Sequence, residues 1–281
     1  MRPLPLFAHL LPTLTLFCVL ACCVLALAGT GQAQMIVGHR GASYDAPENT
    51  LAAFQEAWRQ GADGVEGDFY LTKDQQIVCI HDKDSLRTGG KKLSVADSTL
   101  AELRRLEYGG WKGKQFLGEP LPTFAEVLAI IPADKTFVIE LKTGPEIVPF
   151  LVRELEQAQT TLPRLLIIAF DAQTVAACKQ QLPEVPAHWL TGYKQDKQTG
   201  AFTPTLETIA KTLVACSADG LGTQGERQVV NAEFIAQLKQ SGLKEFHVWT
   251  VDEPSDASYF QGLGAMGITT NRPALLRQAL N

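Results

Sequence analysis

The sequence predicts an α/β protein, a (β/α)8 TIM barrel with a small insertion after its second strand region. Three observations carry this. Short apolar runs alternate with amphipathic stretches along the chain, the order that builds a parallel sheet with helices outside. About eight such units fit into roughly 250 residues, which suits a closed barrel better than an open doubly wound sheet. The polar residues that interrupt the apolar runs gather at one end of them, where a barrel keeps its chemistry.

The strand candidates are "MIVG" (35–38), "GVEGDFYLT" (64–72), "IVCIHD" (77–82), "TFVIELK" (136–142), "LLIIAF" (165–170), "AHWLTGY" (187–193), "ADGLGT" (218–223), "EFHVWTV" (245–251) and "MGITTN" (266–271). Helix candidates lie between them. "NTLAAFQEAWRQG" (49–61) can be capped by Asn49 or Thr50 and closed by Gly61. "TFAEVLAII", "IVPFLVRELEQA", "TVAACKQQL", "TLETIAKTLVACSA", "AEFIAQLKQSG" and "PALLRQAL" follow, the sixth of these seven ending at Ser241-Gly242. One segment breaks the rhythm. Residues 83–122 are polar and glycine-rich with one short helical stretch, "LAELRRLE", and read as an insertion over one end of the barrel.

Residues 1–33 stand apart. Arg2 precedes a long uncharged apolar run that closes on Gly31 and Ala33, the pattern of a secretory signal peptide cleaved after Ala33. A retained anchor is the alternative, because the run approaches spanning length; lipid attachment at Cys22 is a third. Residues 34–281 then form the barrel domain, exported to the periplasm or beyond. Cleavage removes Arg2 and no acid, leaving the mature chain one unit more negative than the −5 of the whole. A mildly acidic chain without basic clusters is a poor partner for nucleic acid or anionic membranes, and no stable membrane partner is expected after cleavage. Cys79, Cys178 and Cys216 remain, an odd set without the spacing of a disulfide framework or a zinc site.

In a barrel, catalytic groups sit at the C-terminal ends of strands. His39 and Arg40 follow the first strand between Gly38 and Gly41, glycines that suit a backbone closing near a ligand. Glu66 and Asp68 are two apart, so both carboxylates point to one side of their strand. "IVCIHD" ends on His81 and Asp82, and "FVIELK" repeats the two-apart spacing with Glu140 and Lys142. Each residue alone reads as a solvated strand end or an ion-pair partner. Together they converge on one mouth. An unpaired carboxylate within "TFVIELK" would be costly, and a divalent cation shared by Glu66, Asp68 and Glu140 removes their repulsion. All-oxygen ligation suits Ca2+ or Mg2+. A histidine pair can serve as general base and acid. Arg40 and Lys142 offer fixed positive charge to an anionic substrate, or simply pair with the carboxylates. His188 and His247 read as structural.

These residues resemble the glycerophosphodiester phosphodiesterase family. The likeness rests on "GHRGASYDAPENT", "GVEGDFYLTKDQQIVCIHD", "FVIELK", "FHVWTV" and "GITTNRP", which occur in family order over nearly the whole mature chain. The resemblance implies a (β/α)8 barrel with an insertion after the H-D motif. It implies His39 and His81 as the catalytic pair, Glu66, Asp68 and Glu140 as ligands of one divalent cation, and Arg40 and Lys142 as phosphate-binding residues. Glu48 and Asn49 would support the site from beneath the first loop. Trp249 would wall the glycerol carbons or sit in the barrel core, and Asn271 and Arg272 would shape the last loop.

The implied reaction is metal-dependent hydrolysis of a small-molecule glycerophosphodiester to sn-glycerol 3-phosphate and an alcohol. The nucleophile is either the neighbouring glycerol hydroxyl or water. A lysophospholipase D acting on lysolipids or a phosphoinositide-type phospholipase C is the rival enzyme; a lysolipid needs an acyl channel, for which Trp111, Phe116 and Leu117 are the candidates. A binding module that captures phosphodiesters without cleaving them is the rival outside enzymes, and two proton-transfer groups argue against it.

Overall fold

The computed structural model describes residues 34–158 and 161–280, so the expected leader lies outside the described residues. Eight parallel strands form a closed barrel: Met35–His39, Gly64–Leu71, Thr136–Leu141, Arg164–Ala169, Ala187–Thr191, Gly220–Gln224, Glu245–Trp249 and Gly267–Thr270. Each pairs with the next, and the first also pairs with the last, which closes the sheet. Side chains alternate across each strand. Val37, Val138, Leu166, Ile168 and Leu190 fill the interior, while the opposite face packs under the helices. There Phe69, Phe124 and Phe137 meet with ring centroids 5.3–5.8 Å apart. Each fully buried phenylalanine contributes about 1.5–3 kcal/mol of hydrophobic stabilisation.

One strand candidate is reassigned. Ile77–Cys79 pairs antiparallel with Phe69–Leu71 and is not a barrel strand. A short apolar run carries no sign of its direction, so periodicity cannot separate the two cases. The seven helix candidates are all present, and Thr50 caps the first by accepting from Ala53 N. A further helix, Pro254–Gly262, was not legible, because it buries only Ala257 and Phe260. Residues 83–122 carry short helices at Leu86–Gly89 and Leu100–Leu103 and a 3-10 turn at Lys114–Phe116. Val95, Leu103, Tyr108 and Leu121 there pack on Val78 and Ile80 as a small core of their own.

Two packing details position the site. A Cβ at Gly41 would lie 2.4 Å from the Ala53 carbonyl carbon, and one at Gly38 would lie 3.0 Å from Ala57 Cβ. These glycines let the first loop close onto the helix Leu51–Arg59; they meet the helix rather than a ligand. Inside the barrel, His188 and His247 stack with Nδ1 atoms 3.0 Å apart. A Cβ at Gly220 or Gly222 would lie 2.6 Å from one or other ring, so the "GLG" run makes room for the pair. Among the described residues no helix is long and apolar enough to cross a membrane.

Candidate active site

Strand register assembles the acidic cluster. Asp68 lies opposite Glu140, and His39 opposite Glu66. Ligand oxygens of Glu66, Asp68 and Glu140 come within 4.8 Å of one another, all three residues buried. Glu66 Oε2 accepts from Arg40 N at 2.9 Å. Asn49 reads Asp68 twice, donating Nδ2 to Oδ2 at 2.8 Å and accepting from Asp68 N at 3.1 Å. Glu66 Oε1 is buried with no partner, and the buried Asp68 Oδ1 has only the Lys142 ammonium at 3.4 Å. Buried oxygens without a hydrogen bond are costly, and they fit a divalent cation coordinated by oxygen alone.

The charges confirm the strain. Burial, then the charges of Asp68 and Glu140, push Glu66 well above the usual carboxylate range. Burial and Asp68 push Glu140 up to about 7. Burial also works against ionising Asp68, but Arg40 and then Lys142 outweigh it and hold Asp68 down to about 2. Arg40 Nη1 donates to Glu48 at 2.9 Å, and its Nε lies 3.1 Å from Asp68 Oδ2 as an ion pair without hydrogen-bond alignment. Lys142 Nζ lies 2.7 Å from Glu140 and 3.4 Å from Asp68. Both cations are thus tied to carboxylates while lining the cavity.

The histidines reach the mouth by different routes. His39 ends the first barrel strand; His81 follows the antiparallel strand, where Ile80 N donates to Asp68 O at 2.9 Å and pins the turn beside the acids. His81 therefore does not stand at a barrel-strand exit. His39 Nδ1 meets Asn271 Oδ1 at 2.8 Å. Asn271 Nδ2 donates to Asp252 Oδ2 at 2.7 Å, so its oxygen faces the ring, Nδ1 carries the proton and Nε2 is bare. Asn271 is thus a direct partner of His39, not merely a loop-shaping residue; Arg272 instead stacks 4.1 Å from the Tyr44 ring. His81 Nδ1 donates to Asp82 Oδ1 at 2.7 Å, and Arg87 ties Asp82 to Glu48.

Both histidines, Arg40, Glu66, Glu140 and Lys142 line one cavity of about 130 Å³, closed by Ile168, Phe170, Leu190, His247, Trp249, Thr250 and Thr269. Trp249 meets Phe170 edge-on at 5.4 Å, which makes it a wall, and His247 belongs to the floor as well as to the buried pair. Phe170 had no sequence signal beyond its place at a strand exit. Trp111, Phe116 and Leu117 are not among the residues that line this cavity.

Burial, then the charge of Arg40, lower His39 to about 4. Its folded value lies below the unfolded 6.5, so on acidification the unfolded chain takes up the proton first. The contribution of the neutral ring is full above about pH 6.5 and is lost as pH falls to about 4, about 3 kcal/mol in all. Glu66 and Glu140 are shifted upward and act with the opposite sign, so the readout is a difference. Urea unfolding of wild type minus His39→Gln is expected to shift by about 2–3 kcal/mol between pH 7 and pH 4. An unchanged difference would reject the buried neutral ring.

An acidic cluster and a histidine pair lining a cavity at a barrel mouth suit a phosphoric diester hydrolase. The chain belongs to the glycerophosphoryl diester phosphodiesterase family, whose model matches residues 39–275. A glycerophosphodiester phosphodiesterase of Caldanaerobacter subterraneus is 33% identical over 247 residues, 86% of this chain and 96% of that one. A second, from Bacillus subtilis, is 28% identical over 87% of this chain and 85% of its own. Among solved structures, an Oleispira antarctica phosphodiesterase in complex with the product sn-glycerol-3-phosphate superposes with a TM-score of 0.77 at 25% identity, covering 88% of this chain and 96% of that one.

Proposed function

We propose that the protein hydrolyses glycerophosphodiesters to sn-glycerol 3-phosphate and a free alcohol with one divalent cation held by Glu66, Asp68 and Glu140. The observation that carries this reading is a cluster of three buried carboxylates, with Glu66 Oε1 unpartnered, beside one cavity that Glu66, Glu140 and the two differently held histidines line. When bound, Ca2+ or Mg2+ would neutralise the acids and supply Lewis acidity to the phosphate. The chain's own residues then divide the work. His39 is neutral, with Nδ1 fixed by Asn271 and Nε2 bare, the form that takes a proton from the attacking hydroxyl. His81 donates Nδ1 to a carboxylate, which offsets the charge of a protonated ring, so Nε2 can protonate the leaving alcohol. Arg40 and Lys142 hold the phosphate at the mouth and face the charge that develops there. Glu48 and Asn49 keep Arg40 and Asp68 in place. The leader expected over residues 1–33 puts this activity outside the cytoplasm.

The test is release of glycerol 3-phosphate from glycerophosphocholine, after chelation and again with calcium or magnesium restored. Release that disappears on chelation and returns with one ion supports the reaction and the carboxylate site together. No release under any of these conditions sinks the reading, and a lysolipid with the same head group is then the substrate to try.

A further inference from the structure

Among the described residues, seven large apolar side chains are exposed, and five of them, Tyr44, Leu86, Trp111, Leu117 and Phe170, stand on the connections that follow strands at the barrel mouth. The connections join the first four into one rim. Lys112 Nζ donates to Ser43 O at 2.7 Å, which fastens the insertion to the loop that carries Tyr44. A Cβ on Gly110 would lie 2.8 Å from Leu117 Cδ2, so Leu117 stands against the turn that carries Trp111. Trp111 Nε1 donates to Tyr108 O, and Tyr108 packs under the turn that follows Leu86. A cavity taking a small, soluble, polar diester does not need such a rim, and clustered exposed apolar side chains mark interaction surfaces.

Charge says what covers it. Over residues 83–122 there are eight Lys and Arg against five Asp and Glu, although the whole chain is at −5. Arg87 and Arg104 are consumed by Glu48, Asp82 and Glu126. Lys83, Lys91, Lys92 and Lys114 are exposed, and no acidic partner is found for them among the described residues. Lysines beside an exposed tryptophan and leucines are the composition of a surface that settles on anionic lipid. The acidic average of the chain hides this local excess.

We propose that the rim formed by the insertion and the first loop docks on an anionic phospholipid bilayer, with Trp111 and Leu117 entering the interface and the lysines facing the head groups. The mouth of the cavity then opens at the lipid surface. The inference does not depend on which diester is cleaved.

Brominated-lipid quenching tests it on the full chain. Residues 1–33 contain no tryptophan, so a membrane-bound leader cannot mimic the signal. The difference between wild type and Trp111→Phe isolates Trp111 from the other three tryptophans. With equimolar phosphatidylglycerol and phosphatidylcholine vesicles, Trp111 emission is expected to be quenched, and to recover in about 0.5 M salt and in vesicles of phosphatidylcholine alone. Lys114→Glu and Lys92→Glu should each weaken binding about fivefold or more, with glycerophosphocholine hydrolysis unchanged. Trp111 left unquenched on anionic vesicles overturns the proposal, whatever the enzyme hydrolyses. So does concentration-dependent self-association that Leu117→Ser abolishes, because a second copy would then be the occupant.

Discussion

His81→Ala and His39→Ala should each lower kcat on glycerophosphocholine by about 10²–10⁴-fold, and the two losses should respond differently to the leaving group. His81 is proposed to protonate the departing alcohol. A p-nitrophenyl leaving group departs without that proton, so the His81 loss should shrink sharply on a p-nitrophenyl phosphodiester. The His39 loss should be nearly the same on both substrates, because attack is impaired in either case. The opposite pattern would exchange the roles. Equal losses throughout would remove the distinction drawn from Asn271 and Asp82. Asn271→Ala touches no substrate and acts only by freeing the His39 tautomer. It should cost kcat about tenfold, with KM little changed, and Asn271→Gln should restore none of it unless the longer amide reaches Nδ1. Circular dichroism unchanged in all four variants keeps the comparison about chemistry.

The barrel was legible because its strands are buried on both faces, so they read as continuous apolar runs, and because most helices carry a clear apolar stripe. Ile77–Cys79 looked the same from sequence as a barrel strand, and only its antiparallel pairing removes it. The consequence reaches the site, since His81 enters from a turn pinned to Asp68 and not from a strand end. The acidic cluster was legible for a local reason: Glu66 and Asp68 share a side by alternation, and Glu140 interrupts an apolar run. The support for His39 was not. Asn271 is 232 residues away, and nothing nearby in sequence signals that its amide is turned by Asp252 to present oxygen. Its position at the exit of the last strand, the same kind of place as His39, was the available hint. Nor does sequence show that Arg40 takes a left-handed backbone, φ 54°, where its amide reaches Glu66. A non-glycine residue in that region is strained, and such strain gathers at functional sites.

Glu66→Gln and Asp68→Asn should separate the two things the acidic cluster does. Each removes a proposed cation ligand, so each should abolish metal-restored turnover and the rise in melting temperature expected of wild type when calcium or magnesium is added. Without the cation their stabilities should move in opposite directions. Glu66 is a buried carboxyl opposed by Asp68 and Glu140, so Glu66→Gln relieves a repulsion while its amide oxygen can still accept from Arg40 N. Its metal-free form should be at least as stable as metal-free wild type. Asp68 is the carboxylate that Arg40 and Lys142 face, and Asn49 donates to it. Asp68→Asn leaves two partly buried cations without that partner, although Arg40 keeps Glu48 and Lys142 keeps Glu140. Hydrogen bonds to charged groups are worth about 1.5–3 kcal/mol, and Asp68→Asn should lose about that much. Urea unfolding in chelator reads both. If Asp68→Asn proves as stable as wild type, Arg40 and Lys142 do not depend on Asp68. If Glu66→Gln still gains stability from either ion, Glu66 is not a ligand and the cation rests on Asp68 and Glu140 alone.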